Sequence, residues 1–427
     1  MNEAESDIEL ALRPLNIVSR ILGLPHFSAH RDAFTGRVKR GDSRNVVWCV
    51  VVLCTLMTGF IINIISVQFS SVSYVFEIVA FIISMPIGYF GALLAVFGGM
   101  TFSRNKFSRF IVKISEIDKG LFGPKRVRIY SKQFASCIRQ LVLLLFILIP
   151  FYCCDSYVFR SEVKYVYGFM HVSSLMKEIV ILQYINVVWM VTDRLQYLNR
   201  HLEKSLELPA EILSNKRMAV NTTCLSKYEH TNQICPLRFN NYKNAGMLVS
   251  DFSVRRATRS ICQVENLIKL RTLYDKISEV AALINGMYGI HVLVELTYNF
   301  LNVVLSIYGV IGVLAGSLKL NPTVSSSCYI AIYVCWILVS VVSVLVISVS
   351  CHRSSAEAEK CHQKTQKLLL LEPLRQETRC QLKLLSQQLS NAKIVFTACG
   401  VFAINLSILY NFVSSAATYV IVLVQFK

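Results

Sequence analysis

Residues 405–427, NLSILYNFVSSAATYVIVLVQFK, decide the fold, because this apolar run is long enough to cross a membrane as a helix. Polar side chains recur along it every three or four residues, so they share one face of that helix. The opposite face is apolar. Such a stripe either bonds to neighbouring helices or lines a water-filled path, and its full length favours a pore. It comprises Ser407, Asn411, Ser414, Thr418, Ile421 and Gln425.

Apolar stretches of the same length recur through the chain. Hydrophobic residues make up 54% of the sequence, charged residues 16%, and the mean hydropathy is +0.50. This composition is typical of a membrane protein, and a barrel would show short alternating strands instead. We therefore predict an all-α membrane protein with seven transmembrane helices. They are placed at Val46–Val67, Tyr74–Met100, Ser136–Val158, Gly168–Val191, Gly286–Leu314, Cys328–Ser350 and Asn405–Phe426.

Lysine and arginine are concentrated in alternate connections between these spans. The segment before the first span, and the second, fourth and sixth connections, are basic, whereas the others are nearly free of positive charge. Positive charge marks the cytoplasmic side, so the N-terminus is predicted inside and the C-terminus outside. The net charge of +18 then reflects topology, and no nucleic-acid partner is expected. The acidic start, MNEAESDIEL, does not resemble a cleavable signal peptide.

The predicted organisation has six segments. They are a cytoplasmic N-terminal segment (1–45), four helices forming a ligand-binding bundle (46–205), a partly disordered cytoplasmic loop (206–262), a cytoplasmic helix leading into the fifth and sixth spans (263–350), cytoplasmic anchor helices (351–404) and a pore-lining seventh helix (405–427). Within the cytoplasmic parts, Leu267, Leu270, Tyr274, Ile277, Ala281 and Ile284 form one apolar stripe and Leu374, Thr378, Leu382, Leu385 and Leu389 a second. Each stripe either packs within its own chain or joins identical subunits.

Several other classes of protein fit the sequence less well. A receptor signalling through G proteins has the opposite orientation, and the fragments Asp193–Arg194 and NPTVS at Asn321 are attributed to chance. Glycosylation of the sequon at Asn221 would favour that alternative. A transporter usually shows internal repeats, and none is evident. No enzyme, cofactor or metal site is expected, because no nucleophile–base set or metal-ligand spacing occurs. Cys153, Cys154 and Cys328 either pair or remain free thiols, the second being favoured.

The chain resembles the insect gustatory receptor family, which is related to the insect odorant receptors. The ending TYVIVLVQF at Thr418–Phe426 is similar to the family's hallmark, and FTACGVFAINLSIL at Phe396–Leu409 to the approach to its last helix. Leu273–Leu301 resembles its fifth-helix region, and LQYLNRHL at Leu195–Leu202 the end of its fourth helix. Length and topology match over the whole chain.

This resemblance implies a ligand-gated, non-selective cation channel in the membrane of sensory neurons. Members form tetramers, so a homotetramer or a heterotetramer with related subunits is expected, with the last helices lining a central pore. Gln425 and Ile421 would stand at its outer constriction with Thr418 and Ser414 below, and Val422 or Val424 would replace Ile421 if the helix were rotated. The stripe holds no acidic residue, which predicts poor discrimination among cations. Gating would be a population shift in favour of the open form.

A small tastant, such as a sugar or another soluble compound, is expected to bind in the outer half of each subunit. Polar residues inside a membrane are costly and tend to be functional, and Trp336 matches an aromatic pocket position of the family. The alternative is structural: Lys177 would pair with a carboxylate such as Glu295, and the tyrosines would anchor the membrane interface. Besides Tyr74 and Glu77, the candidates are Tyr152, Asp155, His171, Ser174, Lys177, Glu178, Glu295, Tyr298, Asn299, Asn302, Tyr333 and Trp336.

Overall fold

The protein is described from a computed structural model that covers residues 3–24, 43–69, 75–101, 103–122, 126–159, 166–206, 242–316, 324–370 and 375–425. These residues form helices and one short hairpin. The helices are α1 (Glu3–Ile21), α2 (Ser43–Phe69), α3 (Val75–Thr101), α4 (Ser103–Leu121), α5 (Arg126–Val158), α6 (Val166–Leu206), α7 (Tyr242–Leu314), α8 (Ser326–Leu369), α9 (Gln376–Asn391) and α10 (Ser407–Gln425). Strands β1 (Thr397–Ala398) and β2 (Phe402–Ala403) pair antiparallel.

Among the described residues, six helices are long and apolar enough to cross a membrane: α2, α5, α6, α7, α8 and α10. Helix α3 has 27 residues, and within the part whose side chains are described its apolar stretch is Met85–Gly99. The all-helical membrane fold with six to seven such helices therefore matches the sequence prediction. Three helices extend well beyond their predicted spans, since α6 continues to Leu206, α7 begins at Tyr242 and α8 reaches Leu369.

The predicted loop of residues 206–262 is shorter than the sequence indicated at its C-terminal end, because α7 begins inside it. Polar residues continue an existing helix at little cost once its apolar part is packed, and composition does not reveal this. The remainder, residues 207–241, lies outside the described residues and includes Asn221.

The chain divides into two compact units. The first comprises Met1–Arg194, Lys276–Ala356 and Ile394–Lys427, and the second comprises Leu195–Asp275 and Glu357–Lys393. In the second unit, α7 is bonded to α9 through Tyr274, whose hydroxyl donates to the Ala392 carbonyl at 2.9 Å, and through Arg271, which donates to Gln381 at 2.8 Å. The Lys364 ammonium pairs with Glu203 of α6 at 2.7 Å.

Both predicted apolar stripes are buried within the single chain. On α7 the six stripe residues from Leu267 to Ile284 are at most 5% exposed, and on α9 Thr378, Leu382, Leu385 and Leu389 are at most 3% exposed. Leu374 lies outside the described residues. Packing within the chain is therefore the explanation that fits these side chains, and any contact between subunits would use other faces.

The first unit contains two amphipathic helices that the sequence analysis did not predict. In α1, Ile8, Leu12 and Leu15 are at most 1% exposed, and the helix packs against α4 and α5. In α4, Phe107, Phe110, Ile111, Ile114 and Ile117 form the buried face. The apolar spacing i, i+3, i+4, i+7 was present in both segments, but their charge content made them resemble loops.

The outer face of α4 is bonded to α7 by charged side chains. Lys113 pairs with Glu279, Lys276 pairs with Glu116 at 3.0 Å, and the Lys106 ammonium donates to the Gly286 carbonyl at 2.7 Å. Two of the basic residues between α3 and α5, Lys106 and Lys113, thus have partners within the chain.

A compact joint connects α7 to the segment that precedes α10. The Asn285 side chain donates to the Val395 carbonyl at 2.8 Å and accepts from the Thr397 amide at 3.2 Å. One turn further, a Cβ at Gly289 would stand 2.9 Å from the Cys399 amide nitrogen, so only glycine permits this approach. Cys399 itself adopts a positive φ of 53° in the turn between β1 and β2. Helix α7 is therefore attached directly to the base of α10.

Candidate functional site

Helix α10 is attached to its own chain along one edge. Its buried residues are Phe412 and Ala416, which lie on the face opposite the polar stripe. Phe300 of α7 meets Phe412 and Tyr419 edge-on, with ring centroids 5.7 Å apart in each pair. The sequence predicted this apolar face, although Tyr419 was not among the residues expected on it.

The whole polar stripe of α10 is exposed in the subunit. This holds for Ser407, Asn411, Ser414, Thr418, Ile421 and Gln425. The Thr418 hydroxyl donates to the Ser414 carbonyl of its own helix at 3.0 Å, and within the described residues no side chain of the stripe bonds to another helix. Hydrogen bonding to other helices of the same chain therefore does not explain the stripe.

Four of the predicted ligand residues form one aromatic and acidic cluster between α5, α6 and α8. The Trp336 indole donates to Asp155 at 3.1 Å, and the other Asp155 oxygen lies 3.2 Å from His171 Nε2. The His171 ring stacks on Tyr152 with centroids 4.6 Å apart. Phe151, which the sequence analysis did not select, meets Trp336 edge-on at 5.0 Å. An apolar residue in an apolar helix gave no signal by which to find it.

A second set of predicted residues is assembled where α6 faces α7. Lys177 Nζ lies 3.7 Å from a Glu295 oxygen and 3.0 Å from the centroid of the Tyr298 ring. The Asn299 amide donates to the other Glu295 oxygen at 2.9 Å. The pairing of Lys177 with Glu295, offered as the structural alternative, is thus present, and it leaves the ammonium beside an aromatic face. The tyrosines of these sets, Tyr152 and Tyr298, are buried.

The remaining candidates are placed around these two sets. Ser174 is buried on α6, and Glu178 is partly buried and close enough to Lys177 and Glu295 for their charges to interact. Asn302 donates to Ser340 of α8 at 2.8 Å. The Tyr333 ring packs on Gly309, where a Cβ would approach to 2.7 Å. Tyr74 and the side chain of Glu77 lie outside the described residues.

The predicted ligand residues are packed against one another. Lys177, Glu295, His291 and Gly91 line a small cavity. Its volume, about 10 Å³ for the centre of a water molecule, is room for one water. His291, which the sequence analysis missed, lies one turn before Glu295, and an ionisable residue inside a membrane span was a signal that would have found it. The described residues contain no cluster of His, Cys, Asp or Glu suited to a metal ion. The described cysteines, Cys153, Cys154 and Cys328 among them, are free thiols.

Comparison with known proteins decides the family. Residues 12–427 match the sequence profile described as 7tm chemosensory receptor. The chain belongs to the 7tm chemosensory receptor family. A stretch of 154 residues, 36% of this chain, is 26% identical to the putative gustatory receptor 28b of Drosophila melanogaster and spans 33% of that receptor's length.

The fold of this chemosensory receptor is also that of an insect olfactory receptor. The structure of the olfactory receptor OR5 from Machilis hrabei is similar with a TM-score of 0.61 at 12% identity, covering 97% of this chain and 98% of that one. The same receptor in complex with eugenol gives a TM-score of 0.63. The chain is thus a 7tm chemosensory receptor, a multi-pass membrane protein with the fold of this olfactory receptor, which confirms the chemosensory-receptor resemblance noted in its sequence.

Proposed function

We propose that this receptor is a gustatory receptor acting as a ligand-gated, non-selective cation channel in the plasma membrane of sensory neurons. A small tastant bound among the residues around Lys177 and Trp336 opens it, just as the olfactory receptor of the same fold binds a small molecule, eugenol. The channel is a homotetramer or a heterotetramer with related subunits. Its N-terminus is cytoplasmic, as the distribution of lysine and arginine predicts.

The observation that carries this proposal is the exposed polar stripe of α10. A membrane helix whose polar face meets no other part of its own chain would set that face against lipid, which is unfavourable over the full thickness of a bilayer. Surrounding an axis with several copies of α10 places the stripe in water instead. Serine, threonine, asparagine and glutamine then offer neutral dipoles to passing ions, so cations pass with little discrimination.

Helix α7 supplies a direct route from the ligand to the pore. It carries Glu295, Tyr298 and Asn299 at the ligand site, and Asn285 and Gly289 at the joint before α10. A ligand that separates Glu295 from Lys177 would shift α7, and the joint would carry this movement to α10. The ligand opens the channel to the extent that it binds the open form more tightly than the closed form.

Patch-clamp recording tests the proposal. Cells expressing the chain alone are recorded as outside-out patches without GTP, while sugars, amino acids and bitter compounds are applied. We expect a ligand-evoked cation current whose permeability ratios change in Thr418→Ala and Gln425→Ala, because each removes a dipole from the pore wall. Thr55→Ala is the matched control, since Thr55 is also an exposed membrane-helix threonine that donates to its own helix.

A current that requires GTP, or permeability ratios that change equally in Thr55→Ala, would contradict a pore formed by α10. Silence of surface-expressed chain with every compound, persisting after co-expression with related receptor subunits, would contradict the channel itself.

A further inference from the structure

The proposed ligand site buries acidic side chains beside a single ammonium group. Asp155 and Glu295 are at most 2% exposed, and Lys177, the lysine among the described residues that pairs with Glu295, is 5% exposed. His171 Nε2 lies 3.2 Å from Asp155, and the carboxyl group of Glu178 is close to Lys177 and Glu295. A buried carboxylate is stabilised by a cationic partner, so a ligand that carries a positive charge suits this site.

The site already shows how it would hold a cation. Lys177 Nζ stands 3.0 Å from the centroid of the Tyr298 ring, and its 3.7 Å distance to Glu295 is longer than a hydrogen bond. Within the described residues this ammonium group makes no hydrogen bond. An aromatic face beside a carboxylate, without directional hydrogen bonds, is the arrangement by which proteins recognise amine and quaternary ammonium ligands. In this structure the ammonium group of Lys177 fills the position that the charged group of such a ligand would take.

The Lys177 side chain is held by packing, and no hydrogen bond fixes its ammonium group among the described residues. It lies against Gly91, where a Cβ would stand 2.8 Å from Lys177 Cδ, and together with Glu295 it lines a small cavity. Glu178 offers a second carboxylate to which the ammonium can move. The rings of Tyr152 and Trp336 lie near Asp155 with their centroids 6.1 Å apart. The apolar part of a ligand could contact these rings.

We propose that the ligand of this receptor is an organic monocation, an amine or quaternary ammonium compound with an apolar body. Its charged group binds between Glu295 and the face of Tyr298, and Lys177 moves toward Glu178. This inference rests on the ligand site of the proposed function and names its chemical class. A sugar has no charged group to place between Glu295 and the face of Tyr298.

The test uses pairs of compounds that differ in charge alone. Choline is compared with its uncharged carbon isostere dimethylbutanol, and phenethylamine, which is protonated at neutral pH, with phenethyl alcohol. Benzyltrimethylammonium and sucrose complete the set. The melting temperature of the purified full-length chain in detergent is measured against ligand concentration, because a ligand that binds only the folded protein raises it with the logarithm of the ligand concentration once that concentration exceeds Kd.

We expect at least one cation to raise the melting temperature progressively with its concentration while its uncharged partner does not. The affinity falls by about tenfold or more in Glu295→Gln, which removes the carboxylate charge, and in Tyr298→Leu, which removes the ring face. Glu279→Gln is the matched control: it makes the same change on α7 at an exposed ion pair with Lys113, and it leaves the affinity unchanged. Two variants at different groups keep the test valid if one of them does not fold.

The result that overturns the proposal is stabilisation by the uncharged partners or sucrose as strong as by the cations, stabilisation by no cation in the set, or cation affinity that survives both Glu295→Gln and Tyr298→Leu. Currents recorded with the same compounds separate this inference from the channel proposal. Cation binding without any current, even after co-expression with related receptor subunits, contradicts the channel and supports the ligand class. A current opened by sucrose alone supports the channel and overturns the ligand class.

Discussion

At the scale of single residues, a fully buried ion pair between Arg194 and Asp118 lies at the end of the fourth predicted span. The Arg194 guanidinium donates to Asp118 of α4 through Nε at 3.0 Å and through Nη2 at 2.6 Å, and to the Met190 carbonyl at 3.0 Å. The Tyr130 hydroxyl also donates to Asp118. Arg194 and Asp118 are both 0% exposed. These contacts join α4 and α5 to α6. The sequence analysis had attributed the similarity of Asp193–Arg194 to a G-protein-coupled receptor motif to chance, and it predicted no partner for Arg194.

Asp118→Asn is expected to destabilise the receptor strongly, because it leaves the Arg194 charge buried with no counter-charge. Removing one partner of a buried pair costs about 3–5 kcal/mol, whereas an exposed pair contributes about 0–1 kcal/mol. Lys276→Gln, which breaks the exposed pair with Glu116 on the same helix, is the control. Thermal unfolding of both variants in detergent is the measurement. Equal melting temperatures for the two would contradict this account of the pair.

At the scale of elements, the single helix α7 has three parts with different contacts. Its N-terminal part packs in the second unit, its middle carries the joint with the segment before α10, and its C-terminal part holds the ligand residues. The joint depends on backbone atoms, since Asn285 bonds to a carbonyl and an amide, and Gly289 lies against the Cys399 main chain. A backbone segment cannot rotate away from a contact as a side chain can. We therefore expect a movement of α7 at this point to displace the segment that leads into α10.

Gly289→Ala tests this joint. The added Cβ would meet the Cys399 amide nitrogen at 2.9 Å, which forces the segment before α10 to shift. We expect the ligand concentration for half-maximal current to change by about fivefold or more, the range of ordinary coupling energies, with permeability ratios unchanged. The concentration–response curve is recorded in patches with a compound that opens the wild-type channel.

Gly168→Ala is the control for that measurement. It makes the same substitution in helix α6 at a glycine with no atom within 4 Å of the added Cβ. Both variants therefore gain the helix propensity of alanine over glycine, and only Gly289→Ala adds a steric contact. If both variants leave the curve unaltered, the joint does not couple ligand binding to the pore.

At the scale of the whole molecule, the exposed face of α10 requires partners. A polar helix face is stable in a membrane only when it meets other polar groups or water, and the described residues of one subunit provide no polar partner for Ser407 through Gln425. The proposed tetramer would meet this requirement.

Cross-linking tests the assembly. Thr418→Cys places a thiol on the proposed pore face, and a short bis-maleimide is expected to join subunits up to tetramers on denaturing gels, above the background of native cysteines. Phe146→Cys, at a position of α5 that is 75% exposed and apolar, is the control and should show background only. Monomers alone, or equally strong cross-linking in the control, would contradict a central position of α10.

The amino-acid sequence by itself determined that the chain is an all-helical membrane receptor, which stretches are long and apolar enough to cross a bilayer, and which face of α10 is polar. These properties are local, because length, hydropathy and 3.6-residue periodicity depend on neighbours along the chain. It also selected Lys177, Glu295, Asp155 and Trp336, since polar groups inside apolar helices stand out without any partner being known.

Only the tertiary structure decided which of these groups meet. It paired Arg194 with Asp118, set Lys177 against Tyr298, showed α1 and α4 to be packed helices, and buried both apolar stripes of α7 and α9 within one chain. Each of these facts depends on residues far apart in the sequence being brought within a few ångströms. A single sequence does not contain such distances. The contacts of the proposed ligand site and the joint at Gly289 could therefore be found only in the folded structure.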